Sequence, residues 1–431
     1  MNHLGASPSK TLGRIAAAVA LLLIIVPASA SASATAAPRT SPGLTPIVLF
    51  PAFHFTKLEV TVRNQTVDPA CPRSGTFEDW FLVDHPSATF SQVCQDELLT
   101  MRYDPNPSMP MPLRFSEQRG VTVGIIDYGK TDSAPFYEPM YEALEAAGYT
   151  RDQNIRVAGY DARLTPDMGG FMQRTMMLIE QTYRDNGNRP VHLVGHSNGP
   201  LYAQYLLTHT SARWKAKYIH GFTAIAGNFP GQGVLYPLFF TGFNVADFTF
   251  PATIANAMSS AQLYLHAPST YMSSADPRIF GDRETVVADA ASGTSYTPAD
   301  YRSLFTDAGL PWARDIADYY IGFVRFTDPA HFPNVDVYAE KGSGIETVVG
   351  IGLHDLTVGQ LLDADTPFFT RDGDVNQEDI TNAAVGAWSA MACFHFSLTD
   401  NPGVDHFSLP SNAAVLARLI ANANAPRSNC P

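Results

Sequence analysis

Short apolar runs alternate with helical stripes through the first half of the chain. The stretch Pro46-Ile47-Val48-Leu49-Phe50-Pro51 is unbroken and brief, which predicts a strand buried on both faces. Residues 121–127 predict a second strand of the same kind. Residues 136–147 place Tyr137, Met140, Tyr141 and Leu144 at helical spacing and stop at Gly148. A short strand follows at 155–159. A helix over 168–183 carries the stripe Phe171, Met172, Thr175, Leu178 and Ile179, suited to packing on a sheet. Strand 191–195, helix 200–208 and strand 218–226 continue the alternation. Such a rhythm specifies an α/β fold with a mostly parallel sheet covered on both faces.

Between 231 and 333 the rhythm is lost. That region is rich in Phe, Tyr, Ala and Ser, with helical pieces such as 299–308, and reads as a cap insertion over the C-terminal edge of the sheet. Strand character returns at 334–338, and 411–423 predicts a closing helix. The expected layout is a core over 46–230, the cap over 231–333, and the rest of the core over 334–431.

The N-terminus has a different character. Lys10 and Arg14 precede an apolar run at 15–26 that is short for a bilayer span, then Pro27 and small residues to Ala32. We expect a signal peptide over 1–32, a flexible Ala/Ser/Thr/Pro-rich lead-in over 33–45, and a secreted or lysosomal/vacuolar destination. Lys and Arg number 28 against 41 Asp and Glu, a net charge of −13; losing Lys10 and Arg14 with no acid makes it −15. That balance excludes an electrostatic partnership with nucleic acid. In an oxidising compartment the four cysteines, Cys71, Cys94, Cys393 and Cys430, read as two disulfides, with three pairings open. Asn64-Gln65-Thr66 is an N-glycosylation sequon.

The candidate chemistry sits at Val191-His192-Leu193-Val194-Gly195-His196-Ser197-Asn198-Gly199. A buried strand runs into G-x-S-x-G and then into a helix, the context that resembles the nucleophile elbow of α/β-hydrolases. Gly195 and Gly199 are needed because strand and helix backbones approach closely there. Ser197 is the candidate nucleophile, and the following helix offers its N-terminus to an oxyanion. The base and its orienting acid follow in the order acid, then histidine. Asp372, Asp374 and His406 satisfy that order; Asp355, Asp363, Asp365 and Asp379 are rival acids, and His354 and His395 rival bases. Asp372, Asp374 and Asn376 also match the start of a calcium loop, but Gln377 and Ala383 stand where Gly and Glu are required, so no metal is expected.

Several separated motifs from Pro46 to His406 resemble the lecithin:cholesterol acyltransferase family, which includes lysosomal phospholipase A2. The opening strand and turn (46–59), Cys71, Trp80 and Cys94, Tyr160-Asp161-Ala162-Arg163, and Trp214-Lys215-Ala216-Lys217-Tyr218-Ile219 with Gly221-Phe222 and Ala226-Gly227 carry the likeness. The resemblance implies a lid loop closed by Cys71 and Cys94 and bearing Trp80, Asp374 as the triad acid, and His406, in Gly403-Val404-Asp405-His406, as the base. It implies oxyanion donors at the backbone N–H groups of Phe53 and Asn198. Three features depart from the family. The turn Ala52-Phe53-His54-Phe55 lacks the usual glycines, Val375 directly follows Asp-Gly-Asp, and Ala162 replaces a Trp. The implied activity is phospholipid acyl transfer or phospholipase A action through an acyl-serine, to a lipid alcohol or water, without a cofactor. A secreted carboxylesterase or neutral-lipid lipase and an inactive lipid-binding homologue are the alternatives. Trp80, Phe81, Phe239 and Phe240 are candidates for peripheral contact with a membrane or lipoprotein surface, or for ordinary cap core.

Overall fold

Strand β1 (Ile47–Phe50) has no exposed residue, because Val48 and Phe50 enter one apolar core and Ile47 and Leu49 another. This period-two division sets up a sheet with packing on both faces. The computed structural model describes residues 43–80, 87–104, 113–242, 251–363, 365–374 and 385–430. The expected signal peptide, most of the lead-in, Phe81, Asn376, Gln377, Asp379 and Ala383 lie outside them.

The central sheet contains β1, β2 (Ile155–Val157), β3 (Val191–His196), β4 (Ile219–Ile225), β5 (Val337–Ser343) and β6 (Phe396–Pro402). Its order is β6-β5-β4-β3-β1-β2, with every pairing parallel. Register places Ile47 beside His192 and Phe50 beside Gly195. The chain leaves β1 for β2 on one side and returns to β3 on the other, which opens a crevice at the C-terminal ends of β1 and β3. Helix α1 (Glu138–Ala146) and α4 (Ala413–Ala423) cover the face that receives Ile47 and Leu49, through Met140, Tyr141 and Leu144 and through Val415 and Leu419. Helices α2 (Phe171–Asp185) and α3 (Gly199–Thr208) cover the other, with Phe171, Ile179, Leu201 and Leu206. This is the parallel sheet covered on both faces that the alternation predicts, in the α/β-hydrolase arrangement that the elbow motif suggests.

The second apolar run has a different fate. Val121–Ile125 pairs antiparallel with Leu58–Val62 in a separate three-stranded sheet, and only Val121 of it is buried. Thr122 and Gly124 point to solvent, so the stretch is a half-exposed strand, not a core strand. A four-stranded sheet joins Val287–Asp289 and Thr294–Tyr296 to Ile345–Leu353 and Phe368–Gly373, drawing strands from both sides of residue 333.

The segment after α3 forms helix Ala212–Tyr218, its N-terminus capped by the Ser211 hydroxyl accepting from the Trp214 N–H. Trp214 Nε1 donates to Glu180 at 2.9 Å, and the buried Lys215 ammonium donates to the Pro333 carbonyl at 2.7 Å. The first contact fastens the approach to β4 onto α2, and the second ties it to the segment that leads into β5. Cys71 pairs with Cys94 and Cys393 with Cys430. Asn64 is exposed in a turn, and Trp80 is half-buried just beyond strand Gly75–Asp79. Phe239 and Phe240 are fully buried, which removes them from any surface contact: they are core. Among the described residues no helix is long and apolar enough to cross a membrane.

Candidate active site

Ser197 leaves β3 at φ 59°, a left-handed conformation that costs a non-glycine residue energy. The elbow is tight on both sides. A Cβ on Gly195 would stand 2.7 Å from the Pro200 nitrogen, and one on Gly199 would strike the Phe50 carbonyl oxygen. Helix α3 thus begins against the ends of β1 and β3, and only glycine fits at both positions. Ser197 N–H donates to the Ile225 carbonyl at 2.9 Å, and Asn228 N–H donates to the Ser197 carbonyl at 2.8 Å.

His406 lies in the turn after β6, with Nε2 2.8 Å from Ser197 Oγ. Asp374 follows strand Phe368–Gly373, and its Oδ1 stands 3.6 Å from His406 Nδ1. That is beyond hydrogen-bond reach, and Nδ1 is buried without a partner. Asp374 Oδ2 accepts from the Gly342 N–H at 2.7 Å, which anchors the carboxylate. Both side chains are almost fully buried. Asp372 is exposed, and Asp363, Asp365, His354 and His395 are exposed as well. Asp355 is half-buried and stands beside His354. Geometry therefore brings Ser197, His406 and Asp374 together and none of the described rivals.

The turn after β1 is built without glycine. His54 takes the left-handed position at φ 61°, and Phe55 N–H donates to Ala52 O at 3.1 Å. The Tyr160 hydroxyl donates to Pro51 O at 2.6 Å. Phe53 and Asn198 line one cavity with Ser197 and His406, in a space of about 40 Å³; Trp80 is not among the residues lining it. Burial pushes His54 down to about 3, so its ring is neutral.

A hydrogen-bonded string runs behind this cavity. Ala52 N–H donates to the Tyr137 oxygen at 2.8 Å, and the Tyr137 hydroxyl lies 2.9 Å from His196 Nδ1. His196 Nε2 lies 2.9 Å from the His406 carbonyl oxygen. A carbonyl only accepts, so Nε2 carries the proton and Nδ1 receives the Tyr137 hydroxyl. Burial holds His196 well below the ordinary histidine value, which keeps this neutral tautomer. Within the elbow motif nothing in the local pattern assigns His196 a task, and Tyr137 belongs to the apolar stripe of a helix.

A buried charge cluster sits nearby. Arg163 pairs with Asp161 at 2.6 Å and Glu117 at 2.7 Å, and donates to Leu99 O at 2.7 Å. Burial alone would raise the Asp161 carboxyl, but Arg163 holds it below its usual value. Asp79 is also buried, and burial pushes its carboxyl up to about 7 against the pull of Arg163. Asp96, also raised by burial, to about 6, accepts from Ser259, Ser260 and Gln92 and ties helix Gln92–Leu99 to helix Ile254–Leu265.

The family model described as lecithin:cholesterol acyltransferase matches residues 115–270. "Lysosomal phospholipase A and acyltransferase" of Mus musculus is 28% identical over 321 residues, covering 70% of this chain and 72% of that protein. "Lecithin-cholesterol acyltransferase-like 1" of Oryza sativa subsp. japonica is 24% identical over 396 residues, covering 88% and 86%. Among solved structures, that of the Tle4-Tli4 complex aligns at a TM-score of 0.48 and 12% identity, covering 90% of this chain and 98% of that one.

Proposed function

We propose that this chain, which resembles the lecithin:cholesterol acyltransferase and lysosomal phospholipase A family, cleaves a phospholipid acyl ester through an acyl-serine. The acyl group then passes to a lipid alcohol or to water. The observation that carries the reading is the 2.8 Å approach of His406 Nε2 to Ser197 Oγ on a strained strand-to-helix elbow.

His406 takes the Ser197 proton as the oxygen attacks the ester carbonyl, and returns it to the departing lysophospholipid. The tetrahedral oxyanion rests on the backbone N–H groups of Phe53 and Asn198, where removing one donor typically costs about 3–4 kcal/mol. Asp374 closes the 3.6 Å gap to Nδ1 as the ring acquires charge, since such contacts tighten in the reacting complex. A lipid alcohol or water then attacks the acyl-enzyme with His406 as base. No cofactor enters these steps.

Residues 231–333 act as the cap in this reading, and the loop closed by Cys71 and Cys94 acts as the lid; Asp96 couples the two. The small cavity accommodates the reacting ester and not an acyl chain, so lipid entry requires its walls to part. Working on lipid, the protein makes peripheral contact with a membrane or lipoprotein surface. It resides outside the cell or in a lysosomal or vacuolar lumen.

Acyl-labelled phosphatidylcholine in liposomes, with and without a sterol or other lipid alcohol, tests the proposal. Label in a new ester indicates transfer, and label only in free fatty acid indicates phospholipase action. Activity confined to triacylglycerol or short soluble esters favours the lipase or carboxylesterase alternative. No turnover together with no fluorophosphonate labelling of Ser197 sinks the enzyme reading.

A further inference from the structure

The cavity beside Ser197 has an amide-lined portion that the acyl-transfer steps leave unused. Asn198 and Asn228 are 1% and 3% exposed, and both line the cavity with Ser197 and His406. Asn198 Nδ2 and Asn228 Oδ1 are buried with no hydrogen-bond partner. Buried amide atoms are normally paired, because leaving one open forfeits its hydration without return. The two ends, one a donor and one an acceptor, belong to residues that line one small space next to Ser197.

Ser273 sets both of them. Its hydroxyl stands 2.8 Å from Asn198 Oδ1, and its carbonyl accepts from Asn228 Nδ2 at 3.3 Å. One end of each amide is thereby occupied and the other left open. The Ser273 hydroxyl has a single proton, and Ser269 O lies at 2.8 Å as well. With that proton on Asn198 Oδ1, Nδ2 is the end left open, so the open pair is one donor and one acceptor. The backbone is equally fixed: Asn228 N–H is held by the Ser197 carbonyl at 2.8 Å, and Asn198 is the residue from which α3 starts. The open pair is built into the elbow and does not belong to a loose surface loop.

A hydroxyl group both gives and takes a hydrogen bond, which matches one open donor and one open acceptor. We propose that Asn198 and Asn228 form a subsite for a hydroxyl carried by the substrate within two or three bonds of the scissile ester. This rests on the acyl-serine reading and names the kind of ester that the site prefers. The hydroxyl has two possible sources. One is the alcohol side, such as the free glycerol hydroxyl of a lysophospholipid or the second hydroxyl of a diol acceptor. The other is a hydroxylated acyl chain. Leaving and attacking alcohols share one place by microscopic reversibility, so a subsite on the alcohol side serves both halves of the reaction.

The test compares kcat/KM for matched esters on the full-length protein. One pair is 1-acyl-2-hydroxy-glycerophosphocholine against its 2-deoxy counterpart, and the other is a 3-hydroxyacyl ester against the plain acyl ester. In one of these pairs the hydroxylated member is expected to be favoured by about tenfold or more, as for a site whose polar groups go unpaired with the analogue. Asn198→Ala and Asn228→Ala should bring that ratio close to one, and Asn228→Ser, which retains an acceptor, should keep part of it. The pair that responds identifies the side that carries the hydroxyl. Fluorophosphonate labelling of Ser197 monitors the elbow in every variant. Labelled, ester-cleaving protein with equal rates in both pairs, or with ratios indifferent to the substitutions, overturns the subsite alone. Failure to label the native Ser197 overturns the underlying reading with it.

Discussion

The Tyr137 hydroxyl stands 2.9 Å from His196 Nδ1, joining the start of α1 to the end of the strand that carries Ser197. Through Tyr137 and His196 the Ala52 N–H is linked to the carbonyl of His406, so the turn bearing Phe53 and the turn bearing His406 share one string of hydrogen bonds. Tyr137→Phe leaves the Ala52 N–H and His196 Nδ1 without partners in a dry interior. A stability loss of about 1–3 kcal/mol is expected. A fall in kcat of about tenfold with little change in KM should accompany it if the string positions the reacting groups. Thermal unfolding and steady-state kinetics on one soluble ester measure both.

The two aspartates of Asp372-Gly373-Asp374 should respond very differently. Asp374→Asn is expected to reduce kcat by about 10⁴-fold, the scale seen when a triad acid becomes an amide. Asp372 is exposed and its replacement should have only a small effect. Equal losses would remove Asp374 from its assigned place, and Ser197→Ala should abolish turnover in either background.

Backbone strain at the elbow gives a stability test independent of activity. Glycine adopts φ 59° without penalty but loses more entropy on folding, which leaves Ser197→Gly more stable by about 0.5–1 kcal/mol. Denaturant midpoints at constant m-value report the difference. A destabilised variant would mean that the contact with His406 outweighs the strain.

Asp79 supplies a pH dependence with a definite sign. Its carboxyl rises from 3.8 to about 7 on folding, because burial disfavours the charge. Between those values the folded protein holds a proton that the unfolded chain releases, so this contribution is full below about pH 4 and is lost as pH rises to 7. Asp96, raised to about 6, acts in the same direction over a narrower window. His54, lowered to about 3, acts oppositely: its contribution is present above pH 6.5 and lost on acidification. Arg163, Asp96 and Asp161 are the charges felt by Asp79. Asp79→Asn isolates its share: the variant should match the native protein near pH 4 and exceed it near pH 8 by on the order of 1–4 kcal/mol. A difference independent of pH would show that the group does not titrate there.

Local pattern carried the reading where one stretch of chain contains both the elements and their punctuation. The elbow is the best case, since a buried strand, two glycines and a helix lie within a few residues of Ser197. Helices α1, α2 and α4 were legible for the same reason, each presenting a single apolar face. The pattern misled at Val121–Ile125, because a brief apolar run looks alike in a central strand and in a peripheral one whose alternate residues face water. It was silent on Val287–Asp289 and Thr294–Tyr296, which are too short to establish a period. Phe239 and Phe240 left membrane contact and burial equally open, and burial depends on helices supplied by distant residues. The shared hold of Ser273 on Asn198 and Asn228 spans 75 and 45 residues, which no local spacing encodes. The same holds for Tyr137 and His196, 59 residues apart.

Ser197 and His406 are separated by 209 residues, and this interval has a meaning during synthesis. At ordinary elongation rates the nucleophile emerges roughly 10–40 s before its base. For much of that interval, from residue 225 to 337, β1 to β4 are made while β5, β6 and the turn bearing His406 are still to come. Under the proposed function, a chain threaded across a membrane as it is made has its serine in place but no base for it. Its action on lipid would then begin only once nearly the whole sheet has been delivered.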